Sequence, residues 1–316
     1  MRLGVMFPPN ADPADVVGTA RLVEETGFDF LACGEHLFFH IPTHNAFVSL
    51  AAAAAVTSRV RLLSALTILP VYPAALAAKQ AATVDRISNG RFDLGVGVGG
   101  EFPPEFAAAG VPVRERGRRT DEALALLREL FTGQSVDLDG RYATIRDLSL
   151  APPPVQPGGP PIWIGGRKEP ALRRTALHGD VWFPYAMSAE QIGRGNQRLR
   201  ELCADLRPGR EIPRTACFGW GAVGSSGAEA RAQAIEVVSR TYQQDFAPIA
   251  DRCLVAGSPA EMVDRLGAYA DQGTTDFLFA PAADDLDAAR AMVELFADQV
   301  LPQLPRVHSA QTRTPA

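Results

Sequence analysis

Residues 61–100 read RLLSALTILPVYPAALAAKQAATVDRISNGRFDLGVGVGG, and this stretch decides the fold. An apolar run from Arg61 to Leu69 precedes an Ala-rich helical segment from Ala74 to Ile87, and a second apolar run follows from Phe92 to Val98. Apolar runs on both sides of a helical stretch indicate two parallel strands joined by a crossover helix. The segment therefore predicts a βαβ unit whose strands are buried on both faces.

The same alternation extends along the chain in both directions. The predicted strands outside the central unit are Arg2 to Phe7, Phe28 to Cys33, Pro161 to Gly165, Asp180 to Pro184, Arg214 to Val223 and Asp276 to Ala280. Eight strands with intervening helices in a chain of 316 residues predict an α/β fold, a (β/α)8 TIM barrel.

The predicted organisation is a single barrel domain over residues 1–305 with a flexible tail at 306–316. The alternation of apolar runs and helical stretches is interrupted after the fourth strand, which predicts an insertion at about 101–160. Its first part, the loop from Glu101 to Pro112, is long for a compact domain, and such loops usually carry function. A solvated linker is the alternative interpretation.

Composition excludes several classes of protein. The 31 basic and 36 acidic residues give a net charge of −5, which argues against a nucleic-acid partner. No uncharged apolar run reaches the roughly 18 residues of a membrane span, and the first residues lack the pattern of a signal peptide. We therefore expect a cytoplasmic protein. The four separated cysteines, Cys33, Cys203, Cys217 and Cys253, are expected to be buried free thiols.

In a (β/α)8 barrel the active site lies at the carboxyl ends of the strands. Glu35 and His36 follow the second strand, so they are the candidate catalytic pair, with His36 exchanging protons and Glu35 orienting it. His36, His40 and His44 stand four residues apart, a spacing that suits zinc on an unbroken helix. Pro42 interrupts that helix, so no metal site is predicted.

Three strand ends are candidates for cofactor binding. Small and β-branched residues after the third strand leave room for a flat ligand, and several glycines after the fourth allow a ligand to approach the backbone. In the turn after the fifth strand, two glycines are followed by two basic residues at the N-terminus of a helix, a position that favours an anion. The candidate residues are Ala65, Leu66, Thr67, Gly97, Gly99, Gly165, Gly166, Arg167 and Lys168.

Aromatic residues near the strand ends are candidates for an apolar substrate pocket, with core packing as the alternative. They are Phe7, Phe38, Phe39, Phe102, Trp182 and Tyr185. They suggest a hydrophobic or aromatic substrate.

Three stretches resemble a known family: VEETGFDFLACGEH (23–36), AKQAATVDRISNGRFDLGVGVGG (78–100) and PPIWIGGRKEPALRRTALHGDVWFPY (160–185). They are similar to the bacterial luciferase-like monooxygenase superfamily, whose members use reduced FMN or the deazaflavin coenzyme F420. The resemblance implies a homodimeric barrel, an active-site histidine at His36 and a cofactor phosphate at Gly165 to Arg167. It also implies a cis peptide between Ala65 and Leu66.

Four functions follow as hypotheses. The first is a two-component monooxygenase, in which reduced FMN from a separate reductase and oxygen oxidise a small organic substrate. The second is a coenzyme F420-dependent reductase or dehydrogenase that transfers a hydride directly. Glu35-His36-Leu37 differs from the Glu-His-His of many FMN-using relatives and from the Asp-His of the deazaflavin branch, so both cofactors stay open. A non-catalytic flavin-binding barrel and a metal-dependent hydrolase are the remaining alternatives.

Overall fold

The computed structural model describes residues 1–9 and 11–305, in which eight parallel strands close into a barrel surrounded by helices. The predicted (β/α)8 fold is therefore confirmed. The predicted tail at 306–316 lies outside the described residues. The strands are β1 (Arg2–Met6), β2 (Phe30–Cys33), β3 (Arg61–Ile68), β4 (Phe92–Gly97), β5 (Val136–Asp139), β6 (Thr144–Leu148), β7 (Ile162–Gly165), β8 (Val181–Phe183), β9 (Arg214–Gly221) and β10 (Asp276–Pro281). Strands β5 and β6 form a separate antiparallel pair, and the other eight follow chain order around the barrel until β10 pairs with β1.

The helices are α1 (Val16–Glu25), α2 (Ala46–Ala54), α3 (Ala74–Ile87), α4 (Pro103–Ala108), α5 (Arg116–Leu130), α6 (Glu169–His178), α7 (Ala189–Leu206), α8 (Gly227–Tyr242), α9 (Ala250–Cys253), α10 (Pro259–Asp271) and α11 (Leu286–Gln299). Helix α10 has the predicted bounds because Ser258 and Glu261 form a capping box and Pro259 occupies its first turn. Within the described part of the chain, none of these helices is both long and apolar enough to cross a membrane.

Two apolar cores hold the barrel together. One lies between the strands and the surrounding helices, and the other fills the barrel interior with side chains such as Phe30, Trp163 and Leu278. At the amino ends of the strands, the buried carboxylate of Asp276 pairs with Arg2 and Arg214. These ion pairs lie at the amino ends of the strands, which contribute to stability in such folds. The active site of a (β/α)8 barrel lies at the opposite end, at the carboxyl ends of the strands.

The segment predicted as an insertion contains one of the barrel's own helices. Helix α5 packs against α3 and α6 and so takes the place of the helix between β4 and β7. The extra structure is therefore confined to the α4 segment before it and to the β5–β6 hairpin with its proline-rich exit. The loop predicted at Glu101 to Pro112 contains a short helix, α4, which starts at two prolines. The four cysteines are buried and unbridged, as expected.

Candidate active site

The carboxyl ends of the barrel strands enclose a cavity of about 310 Å³. This size lies at the lower end of the range for small-molecule sites, about 300–1,000 Å³. Its lining is mostly apolar, and it lies where a (β/α)8 barrel places its active site. The candidate residues that line it are Phe7, Glu35, His36, Phe39, Ala65, Leu66, Gly97, Gly99, Gly165, Gly166 and Tyr185.

His36 forms the central polar contact of this cavity with a residue that sequence reasoning missed. His36 Nδ1 lies 3.1 Å from Oε2 of Glu105, which is fully buried on α4. The same carboxylate accepts a hydrogen bond from the backbone N–H of Leu37 at 3.2 Å. A carboxylate oxygen accepts, so Nδ1 carries the hydrogen and Nε2 is left to accept a proton. His36 is therefore held as a base with a buried carboxylate behind it.

The imidazole of His36 is also fixed from one face. The ring of Phe39 stacks on it with centroids 4.1 Å apart and an interplanar angle of 14°. The hydrogen bond to Glu105 and this stacking restrict both translation and rotation of the ring. The only sequence signal for Glu105 was the length of its loop, because a glutamate on a short helix does not reveal its burial.

Glu35 has a different role from the one predicted. Its carboxylate accepts hydrogen bonds from the N–H of Ala46 and the N–H of Ile68, both at 3.2 Å, and from the hydroxyl of Tyr72 at 3.1 Å. It thereby ties the loop that carries His36 to the end of β3 and the start of α2. Burial raises the pKa of Glu35 to about 7, although these hydrogen bonds oppose the shift. The carboxylate that orients His36 is Glu105.

The floor of the cavity is formed by Ala65, Leu66 and Gly165. The peptide bond between Ala65 and Leu66 is cis, as the family resemblance implied. A Cβ atom on Gly165 would lie 2.1 Å from Cδ1 of Leu66, so the glycine lets the leucine pack directly beneath the opening. Thr67, a predicted cofactor residue, is fully buried outside the lining, and its neighbour Ile68 lines the cavity instead.

The turn after β7 suits an anionic group. Gly166 has a φ of +120°, and α6 begins at Glu169 without a side-chain cap. Pro170 has no N–H, and the N–H of Ala171 donates to the carbonyl of Lys168 at 2.8 Å, so the N–H of Glu169 is the one in the first turn that can face an anion. Arg167 lies with its guanidinium 5.0 Å from the ring centroid of Tyr185, and Lys168 is exposed beside it. Neither side chain lines the cavity, so their place in this site is at its edge.

Three aromatic residues predicted for the pocket lie elsewhere. Trp182 is fully buried between the barrel and α7, and its Nε1 donates a hydrogen bond to the carbonyl of Gly166 at 2.8 Å. Phe183 lines the cavity in its place, because alternate residues of a strand face opposite sides. Phe38 is 58% exposed, while Phe39 lines the cavity. Phe102 lies behind the wall, with its ring 6.3 Å from Phe39.

The outer wall comes from β9 and α8, which sequence reasoning did not connect with the site. Phe218 and Trp220 of β9 and Tyr242 of α8 line the cavity. Trp220 Nε1 donates a hydrogen bond to the hydroxyl oxygen of Tyr242 at 3.2 Å. The tyrosine ring lies 6.1 Å from that of Phe39, which links this wall to the His36 side.

The three histidines at spacing four do not converge. His36 contacts Glu105, while His44 Nε2 lies 3.1 Å from the carbonyl of Pro8. Across residues 1–9 and 11–305, no three potential metal ligands come together. A second cavity, of about 440 Å³, lies at the opposite end near Arg200 and Arg214, away from these groups.

Curated relatives match this chain either over about half of its length or over nearly all of it. An uncharacterised protein of Mycobacterium tuberculosis is 35% identical over 161 residues, which is 51% of this chain and 54% of that protein. The chain thus spans about half the length of the first curated relatives that it matches. An F420-dependent glucose-6-phosphate dehydrogenase from Beutenbergia cavernae is 29% identical and covers 92% of this chain and 94% of its own.

Solved structures share the fold. The monooxygenase RslO1 from Streptomyces bottropensis superposes with a TM-score of 0.83 at 24% identity, covering 96% of this chain and 99% of its own. The oxygenating constituent of 3,6-diketocamphane monooxygenase from Pseudomonas putida, solved with FMN, superposes with a TM-score of 0.74 at 16% identity. It covers 96% of this chain and 99% of its own.

A model of the family described as luciferase-like monooxygenase matches residues 1–276. The match includes β1 to β9, α4 and the segments that carry His36, Glu105 and the turn after β7. The relatives and solved structures include both F420-dependent dehydrogenases and monooxygenases. On the family match, the barrel and its cavity, this chain belongs to the luciferase-like monooxygenase family of flavin- or F420-dependent oxidoreductases.

Proposed function

We propose that this chain is a coenzyme F420-dependent oxidoreductase that transfers a hydride between the deazaflavin and a small apolar alcohol or ketone. The observation that carries the proposal is the contact of 3.1 Å between His36 Nδ1 and the buried carboxylate of Glu105. Oxidation of an alcohol releases a hydride from carbon and a proton from oxygen, so the reaction needs a base beside the cavity. The full-length relative named for F420 supports this choice.

The chain's own residues suit a bound deazaflavin. The backbone of Ala65 and Leu66 with Gly97, Gly99 and Gly165 would underlie its rings, and the turn from Gly166 to Lys168 would hold its phosphate. When bound, the coenzyme supplies a ring carbon that accepts or donates the hydride. In this proposal Arg167 and Lys168 neutralise the anionic tail.

The proton is handled by His36. Nε2 accepts the hydroxyl proton of the alcohol, and the imidazole becomes positively charged. Glu105 then stabilises that charge through Nδ1, and in the reverse direction the same nitrogen returns the proton to the ketone oxygen. Phe39 keeps the ring in this orientation.

A monooxygenase that uses reduced FMN and oxygen is the second candidate. Its support is the aromatic wall of Phe39, Phe218 and Trp220, because this reaction needs a cavity with an apolar lining from which water can be excluded. The common fold with RslO1 agrees with it. This reaction would require a separate reductase as a partner to supply the reduced cofactor.

An anaerobic titration of the purified chain with F420 and with FMN, in both redox states, tests the proposal. We expect F420 to bind more tightly and its bleaching by an alcohol to proceed without oxygen. Selective binding of FMN with oxygen uptake during turnover would replace the proposal by the monooxygenase. The variant His36→Ala should keep cofactor binding and lose turnover, and unchanged turnover would favour a non-catalytic role for this residue.

We also propose that the chain forms a homodimer through α2 and α3. These two helices pack side by side and expose Val48 and Leu76, which are 68% and 48% accessible. Large apolar side chains exposed on neighbouring helices are typical of a contact surface. Light scattering should give twice the mass of the chain, and Val48→Asp with Leu76→Asp should give the monomer.

A further inference from the structure

Within the described part of the chain, one hydroxyl group of the cavity donates no hydrogen bond to the protein. Four hydroxyl-bearing residues line it: Thr43, Tyr185, Thr241 and Tyr242. Thr43 donates to the carbonyl of His36 at 3.0 Å, Thr241 to the carbonyl of Val237 at 2.9 Å, and Tyr185 to Glu101 at 3.1 Å. Tyr242 differs from these three.

The hydroxyl of Tyr242 accepts a hydrogen bond and donates none among residues 1–9 and 11–305. Its oxygen receives the indole N–H of Trp220 at 3.2 Å, which fixes the direction of the remaining O–H bond. Burial raises the pKa of Tyr242 to about 12, so the group stays protonated and remains a donor. A donor held in an apolar wall without an acceptor is a position for a ligand oxygen.

Tyr242 and the reacting histidine are both neighbours of Phe39 in the cavity lining. The ring of Phe39 lies 4.1 Å from that of His36 and 6.1 Å from that of Tyr242, measured between centroids. The ring centroids of His36 and Tyr242 are therefore no farther apart than these two distances combined. A compound with a single six-membered ring is of a size to contact both residues, and the aromatic side chains of Phe39 and Phe218 in the lining suit it.

The charge of the lining limits the ligand further. In the described part of the chain, the lining contains the carboxylates Glu35 and Glu101 and no lysine or arginine. Arg167 lies over the ring of Tyr185 and donates to the carbonyl of Ala186, outside the lining. An anionic substituent near Tyr242 and Tyr185 would be repelled by the carboxylate of Glu101, which accepts the hydrogen bond of Tyr185.

We propose that the substrate is an uncharged ring compound with two oxygen functions: an alcohol or ketone oxygen at His36 and a second acceptor oxygen held by the hydroxyl of Tyr242. Tyr242 is then a specificity-determining residue, and phosphorylated or carboxylated compounds are poor ligands. This distinguishes the chain from its relative named for glucose 6-phosphate. The inference rests on the proposed function, since the alcohol at His36 is the reacting group.

Three benzyl alcohols with different para substituents test the inference. The probes are 4-acetylbenzyl alcohol, its near-isostere 4-isopropylbenzyl alcohol, and 4-carboxybenzyl alcohol, titrated calorimetrically into the full chain alone and with whichever cofactor binds. We expect the acetyl compound to bind about three- to tenfold more tightly than the isopropyl compound, which corresponds to one hydrogen bond. The carboxylate should bind at least about tenfold more weakly than the acetyl compound.

Tyr242→Phe removes only the hydroxyl. It should abolish the preference for the acetyl compound and leave the affinity for the isopropyl compound unchanged. The matched control is Tyr142→Phe, which removes a buried hydroxyl without a hydrogen-bond partner in the β5–β6 connection, away from the cavity. This control should keep the acetyl preference.

Four results would overturn the inference: equal affinities for the two neutral probes, tightest binding of the carboxylate, equal losses for both neutral probes in Tyr242→Phe, or binding of no probe. Failure of the proposed function is a separate result, because it shows as the absence of F420 binding in the cofactor titration. The substrate inference fails alone if F420 binds and the probes do not follow the expected order.

Discussion

Oε2 of Glu105 lies 3.1 Å from Nδ1 of His36, although 69 residues separate them in the chain. One residue follows β2 and the other lies on α4, so the pair exists only where two connections of the barrel meet. The carboxylate is fully buried, and its second contact, the N–H of Leu37, belongs to the same loop as the histidine. The carboxylate of Glu105 therefore contacts Nδ1 of His36 at a position that solvent does not reach.

Glu105→Gln should lower kcat by about 10²-fold with little change in substrate affinity, because the amide cannot stabilise a charged imidazole. Steady-state rates of the variant, of His36→Ala and of the double variant check this. The losses of kcat in Glu105→Gln and His36→Ala should not add in the double variant, since both substitutions disrupt the same His36–Glu105 pair. Glu129→Gln, on the exposed face of α5, serves as the control and should keep the wild-type rate. A rate for Glu105→Gln close to wild type would contradict the pairing.

Glu35 should make the stability of the fold depend on pH around neutrality. Burial raises its pKa from the usual value of 4.5 to about 7, so the folded chain holds the proton more tightly than the unfolded chain. The contribution to stability is full below pH 4.5 and is lost as the pH rises through 7, by about 3 kcal/mol at most. Urea unfolding of wild type and Glu35→Gln between pH 4.5 and 8 measures it. The stability of the wild type relative to the variant should fall with rising pH, and a constant difference would disprove the effect.

Gly165→Ala should weaken cofactor binding more than it weakens the fold. The added Cβ would lie 2.1 Å from Cδ1 of Leu66, so the leucine must move and disturb the floor of the cavity. We expect at least about a tenfold loss of cofactor affinity, equivalent to about 1.4 kcal/mol. Gly267→Ala is the matched control, because nothing lies within 4 Å of its added Cβ on α10. The control should gain up to about 1 kcal/mol of stability and bind normally. Equal affinity in both variants would remove Gly165 from the site.

Glu24 should stabilise the turn that leads into β3. Partial burial acts against its charge, but the N–H groups of Val60, Arg59 and Ser58 donate to it and lower its pKa to about 2. Glu24→Gln should cost about 1 kcal/mol at pH 7, after allowance for solvent screening. The depressed pKa gives a contribution that is present above pH 4.5 and lost as the pH falls toward 2.

Denaturant unfolding at pH 7 and pH 4 measures this difference. Glu25→Gln is a suitable control, because that neighbouring side chain is exposed. A similar loss of stability in both variants would show that the backbone contacts of Glu24 are not responsible.

The elements of the fold could be predicted where local signals were sufficient. Helix α3 occupies the predicted residues 74–87, and α10 follows its cap at Ser258. The sequence predicts a helix from Glu115 to Thr132, close to α5, but not that this helix belongs to the barrel, because an amphipathic helix in an insertion has the same pattern as one on a barrel. Only its packing against α3 and α6 distinguishes them.

The site could be predicted less completely, for two physical reasons. His36 was located because it follows a strand of the barrel. The choice between Trp182 and Phe183 depends on the strand register, and a shift of one residue exchanges the two faces. Glu105, Trp220 and Tyr242 are brought to the cavity by long-range packing, and no spacing in the sequence links them to His36.

The short α4 segment between β4 and α5 has a consequence for engineering. It carries Glu105, which pairs with His36, and Glu101, which lines the cavity mouth beside Tyr185. One stretch of chain thus supplies both the partner of the base and part of the entrance. Exchange of residues 98–115 between related barrels would replace the partner of His36 and part of the cavity entrance in one step. The eight-stranded barrel would stay the same.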